Sequence, residues 1–298
     1  MRVVTYHEKG RYYTMSIHSY HNSHRTERTF YKMGRNNQLK TTANPGAALF
    51  VGVELEVESP REDPDHLSDL VDELMGNTAT CERDGSLNEG FEIITEPATP
   101  AAYCDGFKVD ELCRLLDSHG AKSHDTRTCG LHVHVSRAAL GHTEQARDMV
   151  CAKILVLMDK FTDELTKFAR RDWVNGRWAP KYRNFNADGE QSTKKLLEKY
   201  KPCKDSGDRY KALNLTNDAT IEFRIFRGTL NPMALKATVL LCWAMVEFCK
   251  THTTPQVQAC TWGDLVATCP RPELNEYVCK RGIIARNDAD EINRLLGF

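Results

Sequence analysis

The chain has 298 residues, 41% of them hydrophobic and 27% charged, with a net charge of -1 at neutral pH. That composition is ordinary for a globular protein of one large domain or two smaller ones. A balance so close to neutrality excludes a global field that favours nucleic acid or membrane, and no apolar run is expected to approach the roughly 18 residues that cross a bilayer.

Residues 1–45 differ from the rest. Arg2, Lys9, Arg11, Arg25, Arg28, Lys32, Arg35 and Lys40 stand against only Glu8 and Glu27. The segment reads as a basic extension that ends at the turn signal Asn44-Pro45-Gly46, ahead of a main domain over 46–298. It is either an arm for an anionic partner or a flap packed on acidic neighbours. The spacing of His18, His21 and His24 fits no regular metal geometry. No secretory leader is expected, because an h-region is missing. Eleven cysteines are scattered without any Cys-x-x-Cys pair. They read as reduced, mostly buried thiols, so a cytoplasmic location is expected.

Residues 50–58 alternate apolar and acidic with a period of two. In a strand, Val51, Val53, Leu55 and Val57 share one face, and Gly52, Glu54, Glu56 and Glu58 share the other. Adjacent carboxylates on one face repel. Such a strand is either a solvated edge guarded by Glu or one wall of a site for a hard cation. Glu58, at the strand end before Ser59-Pro60, is expected to lie outside such a site.

The same segregation recurs downstream. Glu92 and Glu96 share a face in 90–97, opposite Phe91 and Ile93. In 129–136, Gly130, His132, His134 and Ser136 oppose Leu131, Val133 and Val135. In 220–228, Glu222, Arg224 and Phe226 alternate with Ile221, Phe223 and Ile225. A slip of one residue would bury the charges, so the facing is well specified. Between strands, Asp84-Gly-Ser86 is a turn signal, with Gly85 available for a positive φ.

Helices are expected over 64–75, 107–118, 143–169 and 232–250. Leu155, Met158, Phe161, Leu165 and Phe168 form an apolar stripe in the third. Pro232 suits the first position of the fourth, with Asn231 as its N-cap. Residues 170–210 are polar and read as a long loop or lid. Short helices are expected over 261–298. Helices covering the apolar face would leave Glu54, Glu56, Glu92, His132, His134, Glu222 and Arg224 on the other. Carboxylates with imidazole suit Mg²⁺, Mn²⁺ or Zn²⁺. An Arg beside a Glu suits a phosphate or carboxylate.

In order along 50–230, Gly52-Val-Glu-Leu-Glu56, Asp84-Gly-Ser-Leu87 with Gly90-Phe-Glu92, Gly130-Leu-His-Val-His-Val135, and Arg209-Tyr-Lys-Ala-Leu-Asn214 with Thr220-Ile-Glu-Phe-Arg224 and Gly228-Thr-Leu230 resemble the amidoligase family. That family is related in fold to glutamine synthetase and glutamate–cysteine ligase. The resemblance implies an α+β fold with a mainly antiparallel, curved sheet, helices on one face and the active site on the other. It implies ATP and Mg²⁺, for which Mn²⁺ can substitute, a carboxylate phosphorylated by ATP, and attack of an amine on the acyl phosphate. It makes Glu54, Glu56, Glu92, His132, His134 and Glu222 metal-ligand candidates. Arg224, Arg209 and Asn214 then serve the phosphoryl group or substrate. Arg170, Arg171, Arg177, Lys181 and Arg183 are the loop cations for phosphate, and there is no P-loop motif to hold it instead. A zinc hydrolase built on the His-x-His strand, or a binding module with a nucleic-acid arm, is the alternative.

Overall fold

A computed structural model describes residues 5–8, 11–14, 17, 28–43, 48–182, 185, 192–269 and 271–296. It combines helices with antiparallel sheet and divides into two compact units.

The first unit comprises Met1–Asn44, Gly52–Leu131 and Arg227–Pro232. Strands β1 (Thr5–Glu8) and β2 (Arg11–Thr14) pair antiparallel, as do β3 (Phe30–Met33) and β4 (Leu39–Thr42). Tyr31 ties β3 down: its N–H donates to Pro97, its carbonyl accepts from Thr99, and its ring meets Phe107 edge-on at 5.5 Å. Arg2, Lys9, Arg25 and the three histidines of the basic segment lie outside the described residues.

The acidic strand β5 (Val51–Glu58) joins β6 (Ala79–Glu82) and β7 (Gly90–Thr95) in the antiparallel order β6-β7-β5. Val53, Leu55, Val57, Phe91 and Ile93 are buried. Helix α1 (Pro64–Met75) starts where Asp63 accepts the N–H of Asp65 and Pro64 takes a first-turn position. Its buried residues Leu67, Val71 and Met75 recur every four positions. It packs on β6, β7 and α2 (Val109–Ser118).

The second unit comprises Pro45–Val51, His132–Phe226 and Met233–Phe298. It holds β8 (Gly130–Ser136) from His132 onward, β9 (Leu213–Asn214) and β10 (Thr220–Arg227), in the order β8-β10-β9. β9 and β10 are antiparallel, with Asn214 opposite Glu222.

The stretch expected as one helix over 143–169 is two, α3 (Glu144–Lys160) and α4 (Thr162–Ala169). The Thr162 hydroxyl donates to the carbonyls of Met158 and Asp159 at 3.1 and 2.7 Å, competing with the helical ladder at the break. The expected loop 170–210 contains α5 (Thr193–Lys204), capped by Ser192, with Leu196, Tyr200 and Cys203 buried. Its lysines and Pro202 obscure that stripe.

α6 (Pro232–Thr251) corrects a further expectation, because among the described residues one helix is long and apolar enough to cross a membrane. Its best 18-residue window has a mean hydropathy of 1.5 but is 72% buried inside the fold, as a core helix would be. Buried Lys153 donates to the carbonyls of Cys249 and His252 at its C-terminal end, at 2.9 and 2.7 Å, where positive charge is favoured. α7 (Thr254–Ala259), α8 (Trp262–Val266), α9 (Pro272–Lys280) and α10 (Arg286–Leu296) are the short helices expected at the end.

Candidate active site

In the first unit, register concentrates negative charge. Glu56 on β5 stands opposite Glu92 on β7, and Glu92 stands opposite Glu82 on β6. Gly90 permits this register: a Cβ there would lie 2.1 Å from the carbonyl oxygen of Val57. Glu56 and Glu92 are both buried. Glu56, Glu92 and Asp84 can each present one carboxylate oxygen within 4.8 Å of the others. Burial first, then the charges of Glu54, Asp84, Glu56 and Glu82, push the Glu92 carboxyl up to about 10. The four charges named are all carboxylates. Glu56 accepts the N–H of Gly130, 2.5 Å from its Oε2. Asp84 is held by an Asx turn, its Oδ1 accepting from Ser86 N–H at 2.7 Å. Gly85 does not use the positive φ foreseen for it.

Glu58 lies on the same strand and has a different role. It accepts from the N–H groups of Asn88 and Glu89 at 3.0 and 2.8 Å, and from the Thr128 hydroxyl at 2.8 Å. Burial alone would raise its pKa, but these bonds outweigh burial and hold it below the usual carboxylate range. Glu58 thereby pins the loop that runs from Asp84 into β7. Glu96, just past β7, is likewise engaged, by Thr29 N–H at 3.0 Å and Arg28 at 3.9 Å.

In the second unit a single carboxylate gathers its own partners. Glu222 on β10 accepts from Asn214 Nδ2 at 2.7 Å and from Arg224, and His132 Nδ1 lies 3.6 Å away. The Asn214 amide is oriented by its other end, where Oδ1 accepts the Thr216 N–H and hydroxyl at 2.9 and 2.8 Å. His134, two residues along β8, meets the Thr220 hydroxyl instead, at 3.1 Å. Arg137 latches the approach to β10 through the carbonyls of Leu215, Asn217 and Thr220. Arg224 keeps one buried nitrogen, Nε, without a hydrogen-bond partner among the described residues. A buried guanidinium N–H left unpaired is costly, and an anionic oxygen would satisfy it.

The remaining expected residues are distributed through the second unit. Arg209 lies over the Tyr210 ring, 5.2 Å from its centroid. Arg170 ends α4 in the left-handed region at φ 56°, and Arg171 follows it half-buried. Lys181 pairs with Asp159 at 2.6 Å and donates to Thr162 at 2.9 Å. Arg183 lies outside the described residues. Residue-type reasoning left out Glu82, which only strand register brings to Glu92. It also left out Trp178 and Tyr210, whose rings sit 6.1 Å apart in the polar segment.

All eleven cysteines are free, and ten are buried. Burial raises the Cys129, Cys151, Cys203 and Cys260 thiols to about 11, so these four are neutral at physiological pH and poor nucleophiles.

Residues 66–246, more than half of the chain, match the family model described as "Putative amidoligase enzyme". No curated protein matches the chain. Similar solved structures include two of GmaS, titled as the apo form without ligand and as an ADP complex. The apo form has a TM-score of 0.40 at 15% identity, and the complex 0.42 at 14%. Each covers 83% of this chain and 68% of the other. A third is the complex of the prokaryotic ubiquitin-like protein Pup with its ligase PafA. It has a TM-score of 0.37 at 8% identity and covers 84% of this chain and 62% of that one.

Proposed function

Because the chain belongs to the amidoligase family, enzymes that join a carboxylate to an amine, we propose that it activates its carboxylate with ATP and forms the amide through an acyl phosphate, with divalent cations on its buried carboxylates. The observation that carries this reading is Arg224. One of its nitrogens is committed to Glu222, and another, buried, has no hydrogen-bond partner among the described residues. That is the state of a guanidinium awaiting an anionic oxygen.

In the proposed sequence a substrate carboxylate oxygen attacks the γ-phosphorus of ATP, and the bond to the ADP oxygen breaks. The amine nitrogen then attacks the acyl carbon, phosphate leaves, and the nitrogen gives up a proton. Both steps place charge on oxygens rather than on an enzyme nucleophile, so catalysis rests on fixed positive charge and positioning. Arg224 holds the carboxylate or phosphoryl oxygen. Glu222 aims Arg224, and Asn214 and His132 aim Glu222. Arg209 serves the nucleotide or substrate beside them.

The donor chemistry of the first unit fits Mg²⁺ or Mn²⁺: three carboxylates can each place an oxygen within 4.8 Å of the others, two of them are buried, and the charges that act on Glu92 are all carboxylates. Glu56, Asp84 and Glu92 would hold such an ion, with Glu54 adding charge. His132 and Glu222 form a second donor set. When bound, the ions neutralise charge on the transferring phosphoryl group. In each unit we read the charged strand face as the substrate side, with the helices on the other.

Hydroxylamine tests the reading, because it traps acyl phosphates as hydroxamates without knowledge of the natural amine. With Mg²⁺, ATP and a panel of carboxylic acids, hydroxamate and ADP are expected in equal amounts. Arg224→Ala is expected to lower the rate about 10²–10³-fold. Turnover that needs no nucleotide, or is untouched in Arg224→Ala, sinks the reading.

A further inference from the structure

Among the described residues, the exposed large apolar side chains are Trp178 and Tyr210, at 40% and 44% of full exposure. They are not scattered. Their rings meet edge-on, 6.1 Å apart at 61°, although 32 positions separate them in the sequence. The backbone brings them together: Ala212 N–H donates to the Pro180 carbonyl, and Arg224 N–H donates to the Ala212 carbonyl, both at 3.0 Å. The segment after Trp178, the segment after Tyr210 and β10 are thus laced side by side. Below the rings the loop is built on fixed groups. Tyr210 N–H donates to Asp208 Oδ1 at 2.9 Å, and the Tyr182 hydroxyl donates to the Leu213 carbonyl at 2.9 Å.

Three guanidinium groups surround the pair. Arg177 stands over Trp178 at 4.9 Å, and Arg209 and Arg224 stand over Tyr210 at 5.2 and 5.9 Å. Exposing two large rings forfeits burial that each could have gained, and a planar partner returns it. A ligand that suits this surface has a flat aromatic part to stack on the rings and an anionic part to meet the arginines. A nucleotide has both, and Arg224 already links Tyr210 to Glu222.

We propose that Trp178 and Tyr210 form the stacking platform for the base of the nucleoside triphosphate, with Arg177 and Arg209 beside its phosphates. The proposal rests on the ATP-dependent reading above. It adds Trp178, which no motif marks, to Tyr210, which follows Arg209 in one of them.

The test is nucleotide binding to the full chain with Mg²⁺, followed by calorimetry and by tryptophan emission, with inorganic triphosphate as the comparison ligand. Exposed Trp178 should be quenched by ATP and not by inorganic triphosphate, while buried Trp173 and Trp262 and half-buried Trp243 remain constant. Trp178→Ala and Tyr210→Ala should each weaken ATP binding about 10- to 100-fold, the range for loss of one base–aromatic stack. Affinity for inorganic triphosphate should stay the same. Trp178→Phe should abolish the quench yet keep most of the affinity, which separates stacking from a folding defect. If ATP binds wild type and both alanine variants equally, the platform assignment is wrong and the ligase reading stands. If ATP does not bind wild type at all, both fail. If a short single-stranded oligonucleotide depends on Trp178 and Tyr210 while ATP does not, the surface serves nucleic acid and the proposal is overturned.

Discussion

Glu92 and Glu222 are buried to nearly the same extent, at 4% and 3% exposure, and both sit mid-strand beside alternating apolar neighbours. Their surroundings are opposite. Glu222 has an amide, a guanidinium and an imidazole around it. Glu92 has four other carboxylates acting on it. A buried charge tolerates the first setting because the protein itself supplies the compensation. It tolerates the second only as a neutral acid or with a cation from outside. One carboxylate therefore sits in a framework with Arg224, and the other sits among carboxylates.

The largest effect should come from breaking the compensated side. Glu222→Gln leaves the Arg224 guanidinium buried beside an amide. About 3–5 kcal/mol of stability should be lost, read as a fall in the urea midpoint, and ligase turnover should collapse with it. An unchanged midpoint would mean that Arg224 does not depend on Glu222.

The same substitution on the uncompensated side should have the opposite sign. The folded-state pKa of Glu92 is raised, so the folded state prefers the protonated acid. Its contribution to stability is lost as pH rises from the ordinary carboxylate value of 4.5 toward about 10. Metal-free protein should accordingly melt at lower temperature at pH 9 than at pH 6, and Mg²⁺ should reverse the trend. Glu92→Gln should flatten the pH dependence, raise stability at neutral pH by roughly 1–3 kcal/mol, the scale of an uncompensated buried polar group, and remove the response to Mg²⁺. A variant less stable than wild type in chelator would contradict the charge surplus.

Glu58 gives the smallest effect, with a pH dependence opposite to that of Glu92. Its folded pKa is lowered, so its contribution is present above its unfolded pKa and is lost as pH falls through the folded one. Glu58→Gln should cost about 1–2 kcal/mol at pH 7 and less in acid. Thermal melts of both forms at pH 7 and pH 3 would show whether the difference closes.

Much of the candidate site was legible because strand alternation is local. Val51, Val53, Leu55 and Val57 are all buried, as their spacing required. Glu222 and Arg224 share a face two residues apart and do make contact. The ordered motifs that pointed to amidoligases lie largely within the matched stretch 66–246. Other features were less visible. The stripe of α5 was masked by lysines, and the break at Phe161 follows from a hydroxyl bonding back to its own helix. A solvent face could not be told from a buried charged one, since Glu56 and Glu58 alternate as Glu54 does but are buried.

What the sequence by itself determined is the side of each strand on which a residue stands, because side-chain direction has a period of two along any extended backbone. It thereby determined that carboxylates, imidazoles and a guanidinium would line strand faces. Only the tertiary structure decided what each of them meets. Strand register set Glu92 between Glu56 and Glu82, a loop closed on Glu58, and the Pro180–Ala212 hydrogen bond brought Trp178 to Tyr210. These pairings join residues far apart in the chain. Cooperative packing selects them, and no local pattern of residues encodes which distant partner will compensate a charge.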